Sequence, residues 1–257
     1  MNRINQLFQE KPYGILDLYF CAGYPSLDST VPTIQALQDE GIDMVEIGIP
    51  FSDPMADGPV IQSAATQSLK NGMTLAILFE QLKNIRRTVI MPLVLMGYLN
   101  VIYQYGFEKF CQSCKVCGID GVIIPDLPFD EYLHDYKPLA EKYNIHIIML
   151  ITPETSEQRI RLIDKNTDGF IYEVSSDATT GTQDEYNRDT LNYFARIKNM
   201  NLKNPTLVGF GISNKKTFSA AQQYANGAII GSKFVRLTAE CANAKEAIIK
   251  LKEALQK

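Results

Sequence analysis

Short runs rich in β-branched residues alternate along this chain with longer stretches whose apolar residues recur at helical spacing, and the alternation persists from one end to the other. Strands separated by helices in this way must run parallel, because each helix carries the chain back to the edge from which the strand set out. Eight strands are expected: Leu16–Phe20, Met44–Ile47, Pro92–Met96, Val122–Ile124, Ile145–Leu150, Phe170–Val174, Thr206–Val208 and Ala228–Ile230. Between them lie helical patterns such as Val31, Ile34 and Leu37, stopped by Gly41, and Leu75, Leu78, Leu82 and Ile85, started by Thr74. The last helical segment is Ala242 to Leu255.

Eight βα units favour closure, since an open sheet of that size would leave two long edges to cover. The expected architecture is therefore a single α/β domain over residues 1–257, a (β/α)8 or TIM barrel, with a doubly wound sheet as the alternative. Met1 to Lys11 reads as an extra short amphipathic helix in front of the first strand, and it lacks the apolar core of a signal peptide. The uncharged run Val89 to Phe107 is nearly long enough to span a bilayer, but Pro92, Gly97, Asn100 and Gln104 divide it into strand, loop and helix start. A net charge of -4 gives no field that would favour nucleic acid or an anionic membrane, and a soluble cytoplasmic protein is expected.

Five cysteines, an odd number, argue for reduced thiols. Cys111, Cys114 and Cys117 form C-x2-C-x2-C, a spacing shared by iron–sulfur runs, but the fourth ligand position holds Gly121. The same three residues follow one side of a helix together with Phe107 and Phe110, which packing explains as well. The two histidines, His134 and His146, form no zinc motif, so no metal is expected.

Two connections are long, from about Pro50 to Pro59 and from Ser175 to Asp189, and long loops in a compact barrel are usually functional. Glu46 stands in an apolar strand just before the first of them. A carboxylate there should face the barrel mouth, where desolvation raises its proton affinity and suits it to proton transfer near neutral pH. The alternative is a structural Glu paired with Lys or Arg. Asp57, before Gly58 in the loop, is by itself a common turn residue. Two acids at one mouth, in different environments, suggest divided acid/base roles.

A phosphate signal is independent of both acids. Gly209-Phe210-Gly211-Ile212-Ser213 follows the seventh strand, and Gly227 to Ser232 runs through the eighth. Barrels of this kind bind phosphate through backbone N–H groups after these two strands, at the start of a short helix. Thr180-Gly181, in the loop after strand six, offers a further N–H and a hydroxyl from a segment able to close over substrate. Tyr172, at the end of strand six, either lines the pocket or packs.

These residues together resemble the tryptophan synthase alpha chain family. Glu46-Ile47-Gly48-Ile49-Pro50-Phe51-Ser52-Asp53-Pro54, followed by Ala56-Asp57-Gly58-Pro59, is close to that family's most specific motif. Pro125-Asp126-Leu127-Pro128, Thr180-Gly181, the Gly209 to Ser213 run and Gly231-Ser232 match in order, so the similarity covers nearly the whole chain. The resemblance implies retro-aldol cleavage of indole-3-glycerol phosphate to indole and glyceraldehyde 3-phosphate, without a metal or organic cofactor in this chain. It implies that Glu46 moves protons between indole C3 and the glycerol hydroxyl, and that Asp57 holds the indole N–H. Gly181, Gly211, Gly231 and Ser232 would hold the phosphate, with Thr180 among the substrate-binding residues, while Tyr19, Met96 and Tyr172 would border the indole. It further implies an α2β2 assembly with a beta chain that carries pyridoxal phosphate, faced by the loops around Asp53-Pro54, Asn100 and Pro128.

Three positions depart from the family pattern. Tyr24 stands where many relatives place Asp, Val101 follows Asn100 where Pro is common, and Ser175-Ser176-Asp177-Ala178 replaces a segment that usually carries Arg and Gly. They bear on the mouth and its closure, and they leave room for a chain that chiefly regulates its partner.

Overall fold

A computed structural model describes residues 1–175 and 185–256 of the chain. Eight strands form in chain order: β1 (Ile15–Cys21), β2 (Met44–Gly48), β3 (Leu93–Met96), β4 (Gly121–Ile123), β5 (His146–Ile151), β6 (Ile171–Val174), β7 (Thr206–Gly209) and β8 (Gly227–Ile230). Each pairs in parallel with the next and β8 returns to β1, closing the barrel. Closure excludes the doubly wound alternative. Expected and observed strand ends differ by a residue or so. At β3 the reason is that Pro92 has no N–H to give a neighbour, so it only accepts, from Val45 N, and the strand starts at Leu93.

Side chains alternate across each strand, which divides the apolar residues into two separate cores. Inside the barrel, Tyr19, Met44, Val94, Met96, Ile123, Ile148, Tyr172, Leu207 and Ile229 pack together. Their strand neighbours, among them Leu18, Val45, Leu95, Val122, Ile147, Val208 and Ile230, point outward and meet the helices. Fully buried Phe110, Phe194 and Phe234 anchor helices to that outer layer. Each such ring contributes roughly 1.5–3 kcal/mol by leaving water.

The N-terminal helix Arg3–Glu10 shuts one end of the barrel. Asn2 caps it by accepting from Ile4 N at 2.9 Å. Ile4, fully buried, enters the interior core. Asn2 Nδ2 donates to the carbonyl of Asp120 at 2.8 Å, and the Asp120 carboxylate receives Arg3 at 3.0 Å, Arg86 at 2.6 Å and Leu93 N at 3.0 Å. These contacts lie where the strands begin, so the opposite end, where they finish, is left for chemistry.

The uncharged run at 89–107 splits into β3 and the helix Leu99–Tyr105, and no helix among the described residues is long and apolar enough to cross a membrane. Cys111, Cys114 and Cys117 lie on the helix Phe107–Cys117, all buried with Phe110, and Cys117 Sγ donates to the carbonyl of Phe79 at 3.4 Å. Burial drives the Cys114 thiol well above its ordinary range, which suits packing and opposes reactivity. The final helix starts at Ala244 rather than Ala242. Asn243 accepts from Glu246 N at 3.0 Å, and the Glu246 carboxylate receives Ala242 N at 3.2 Å, a reciprocal cap that sets the boundary.

Candidate active site

Glu46 occupies β2 opposite Tyr19 of β1, with its side chain on the interior face and no exposure to solvent. Among the described residues no donor group hydrogen-bonds to either of its oxygens, and no lysine or arginine pairs with it. The paired, structural reading of this acid is therefore not the one observed. Burial pushes its carboxyl well above the usual carboxylate range, and a neighbouring acid, Asp17, pushes in the same direction.

Asp57 reaches the same space from the loop after β2. That loop is held at both ends. Asp57 N donates to the carbonyl of Pro54 at 3.1 Å, Pro59 opens the helix Pro59–Lys70, and Gln62 Nε2 donates to the carbonyl of Asp57 at 2.8 Å. The carboxylate is 5% exposed and accepts from the Tyr98 hydroxyl at 2.9 Å, while the same hydroxyl accepts from Ala56 N at 3.0 Å. Burial raises the Asp57 carboxyl to about 6, against the lowering effect of the Tyr98 bond. One acid thus holds its proton tightly and the other is ionised at neutral pH, the separation that divided roles require.

Across the mouth, the turn after β7 is bent sharply. Phe210 and Gly211 both have left-handed backbones, with φ of 70° and 73°. A phenylalanine does not take that conformation without support. The support is visible: the carbonyl of Phe210 accepts from Ser175 Oγ at 2.9 Å and from the Tyr186 hydroxyl at 3.0 Å. After β8, Gly231 precedes the helix Ser232–Glu240 and no side chain among the described residues caps it. The first N–H groups of that helix remain available to an anion, which its dipole favours.

A single cavity gathers these parts: Glu46 and Asp57 on one side, Gly211, Gly231 and Ser232 on the other. Tyr19, Met96 and Tyr172 form walls between them, so Tyr172 lines the pocket as well as packing. Gly209 and Gly227 serve strand packing instead. A Cβ at Gly209 would fall inside the Tyr172 ring, as one at Gly48 would fall inside that of Tyr19. Thr180, Gly181 and the Ser176 to Ala178 segment lie outside the described residues. Of the expected partner-facing positions, Asp53, Asn100 and Pro128 are exposed.

Sequence reasoning missed four wall residues, Ile61, Phe210, Ile212 and Ile229, together with Lys233 and Tyr98. Lys233 follows Gly231-Ser232 directly at a helix start, a signal that could have found it. Tyr98 gave none, because its contact with Asp57 bridges the loops after β2 and β3, far apart in the chain.

The tryptophan synthase alpha chain family model matches residues 7–257. The chain is 62% identical to the tryptophan synthase alpha chain of Bacteroides thetaiotaomicron over 256 residues, covering 100% of both chains. It is 63% identical to that of Phocaeicola vulgatus over 257 residues, again covering 100% of both. Among solved structures, the alpha chain from Legionella pneumophila superposes with a TM-score of 0.87 at 29% identity, covering 100% of this chain and 96% of that one. A tryptophan synthase complex from Pyrococcus furiosus contains a chain that matches with a TM-score of 0.85 at 35% identity, covering 95% of this chain and 98% of that one. With a closed barrel, two acids of unlike proton affinity and a bare helix start around one cavity, and with relatives this similar along its whole length, the chain belongs to the tryptophan synthase alpha chain family.

Proposed function

We propose that Glu46 and Asp57 perform, in this chain, the lyase reaction of the family: retro-aldol cleavage of indole-3-glycerol phosphate to indole and glyceraldehyde 3-phosphate. The observation that carries the assignment is the shared cavity, in which a proton-holding carboxyl and an ionised one stand opposite a glycine turn and an uncapped helix.

The substrate's phosphate is held by N–H groups around Gly211, Gly231 and Ser232, with Thr180 and Gly181 as the remaining proposed contacts. Its indole lies between Tyr19, Met96 and Tyr172. Glu46 delivers its proton to indole C3, and the positive charge this leaves on the ring is stabilised by ionised Asp57 at the indole nitrogen. Glu46 then takes the proton of the adjacent glycerol hydroxyl. The oxygen's electrons form the aldehyde C=O, the bond from C3 to that carbon breaks, and its electron pair returns to the ring. One proton enters and one leaves, so Glu46 ends as it began.

The reading extends to the assembly. The chain acts as one barrel domain over its whole length, in the cytoplasm, with no cofactor of its own. Its partner is a tryptophan synthase beta chain carrying pyridoxal phosphate, in an α2β2 complex. Met55, 87% exposed, and Tyr103, 66% exposed, stand beside Asp53-Pro54 and Asn100 and supply apolar surface for such a contact.

The test is Glu46→Gln, which keeps shape and removes the exchangeable proton. Indole release should fall roughly 10²–10⁴-fold, the range for loss of a general acid/base. A folded variant with near-normal turnover overturns the assignment.

A further inference from the structure

Asp17 is a second buried acid in the barrel that the reaction as described does not use. It lies on the interior face of β1, two residues before Tyr19, flanked by Met44 of β2 and Ile229 of β8. Tyr19 is the register partner of Glu46, so Asp17 sits one interior layer beneath the proton carrier, on the adjacent strand. It has no exposure to solvent, and among the described residues no donor group makes a hydrogen bond of good geometry to either of its oxygens. Four carboxyl oxygens therefore share one dry interior with no cation among the described residues to hold them, and the backbone N–H of Leu18 bears on Asp17 only as the smallest influence.

Two carboxylates cannot both be ionised in such a place at moderate cost. Facing the same interior from adjacent strands, the two carboxyls act on each other so that Glu46 is pushed up and Asp17 down, which favours a proton held between them. The other groups facing the pair do not relieve it. Asp43 lies beneath, at the start of β2, adding its own repulsion to Asp17 while bound to Lys11 at 2.7 Å. Tyr19 from β1, Tyr172 from β6 and Asp57 at the mouth carry no positive charge, and Lys233, which lines the same cavity at its phosphate end, forms no ion pair with either carboxyl among the described residues.

We propose that Asp17 is a positioning residue for Glu46: the two carboxyls hold a proton in common, which keeps Glu46 loaded for donation to indole C3 and drives it to recapture the hydroxyl proton afterwards. This rests on the assignment of Glu46 as proton carrier. After donation, ionised Glu46 stands against Asp17 in a medium of low polarity, and the cheapest relief is the proton of the substrate hydroxyl. Asp17 exchanges nothing with substrate and returns unchanged at the end of each turnover. Burial raises the Asp17 carboxyl to about 8 against the lowering effect of Glu46, while Asp17 pushes Glu46 up, so Asp17 gives up its proton before Glu46 as pH rises.

Asp17→Asn tests it, because an amide donates to ionised Glu46 and carries no opposing charge. The alkaline limb of kcat/KM, which reports the free enzyme, should move to lower pH by about one unit or more, a loss of roughly fivefold or more at the wild-type midpoint. Asp17→Ser, which removes the charge and leaves a shorter, weaker donor than the amide, should move the limb the same way by less. An alkaline limb that stays in place in both variants, whatever the uniform loss of rate, overturns the proposal. A measurement on the unaltered protein guards against misfolded variants. The carbon-13 resonance of the Glu46 carboxyl should titrate in two steps shared with Asp17, and a single independent step refutes the pairing. Glu46→Gln, assayed alongside, separates the two ideas. If it retains turnover the reading of Glu46 fails and the proposal with it, whereas an inactive Glu46→Gln with unmoved Asp17 variants removes only the pairing.

Discussion

Tyr98→Phe removes the hydrogen bond that, among the described residues, favours the ionised form of Asp57. The phenol donates to Asp57 Oδ2 at 2.9 Å in a buried setting and opposes the upward pressure of burial, which holds the carboxyl at about 6. A hydrogen bond to a charged group is worth about 1.5–3 kcal/mol, which corresponds to about one to two pH units of displacement once it is lost. The direction is upward, because the surviving force is burial. With its midpoint at about 6, roughly nine-tenths of Asp57 is ionised at pH 7. In the variant that fraction falls to between about one half and one tenth, so kcat/KM at pH 7 should drop roughly two- to tenfold and recover at higher pH. The assay is indole release from indole-3-glycerol phosphate across the pH range, with the acid limb of kcat/KM as readout. A uniform loss with an unmoved acid limb would refute the reasoning, since it would mean that Tyr98 acts only by shaping the loop through its bond to Ala56.

Glu173 offers a stability test away from the cavity. It lies on the outward face of β6, 1% exposed, with one carboxylate oxygen unpartnered and its carboxyl raised by burial from 4.5 to about 8. Its folded-state stability is complete below pH 4.5 and is lost as pH rises through about 8. Glu173→Gln should therefore melt higher than wild type at pH 8 and differ little at pH 5, with an upper bound of roughly 5 kcal/mol on the gain. Equal differences at the two pH values would count against it. At the phosphate end, Lys233→Met should raise KM roughly three- to tenfold with kcat unchanged, a modest effect because the ammonium is only half-buried. An unaltered KM in steady-state kinetics would remove Lys233 from the site.

Most of the architecture was legible because it depends on period. Strands such as Met44–Gly48 and helices such as Leu75–Leu82 are set by local alternation and by caps such as Thr74, which accepts from Ile77 N at 3.2 Å. Glu46 was legible because a charge in an apolar strand stands out, and Gly211 because glycine before a helix start has few other uses. What stayed hidden depends on contacts between segments distant in sequence. Asp17 reads as an ordinary strand residue until β1 and β2 are in register. Tyr98 becomes a support for Asp57 only when two loops meet, and Phe210 joins the wall only because hydroxyls of Ser175 and Tyr186 hold its carbonyl. Periodicity carries no information about such meetings.

The nesting of Tyr19 over Gly48 and of Tyr172 over Gly209 has a further bearing on which substrates the cavity admits. Each aromatic wall takes its tilt from a missing side chain on the next strand, not from any polar anchor. A single methyl at either glycine would overlap the ring and force it to shift, at a strain of about 1–3 kcal/mol, and so reshape the slot beside Glu46. Accommodation of bulkier or slimmer ring systems can thus be retuned from two positions that take no part in proton movement or anion binding, leaving the reactive chemistry intact while selection acts on shape.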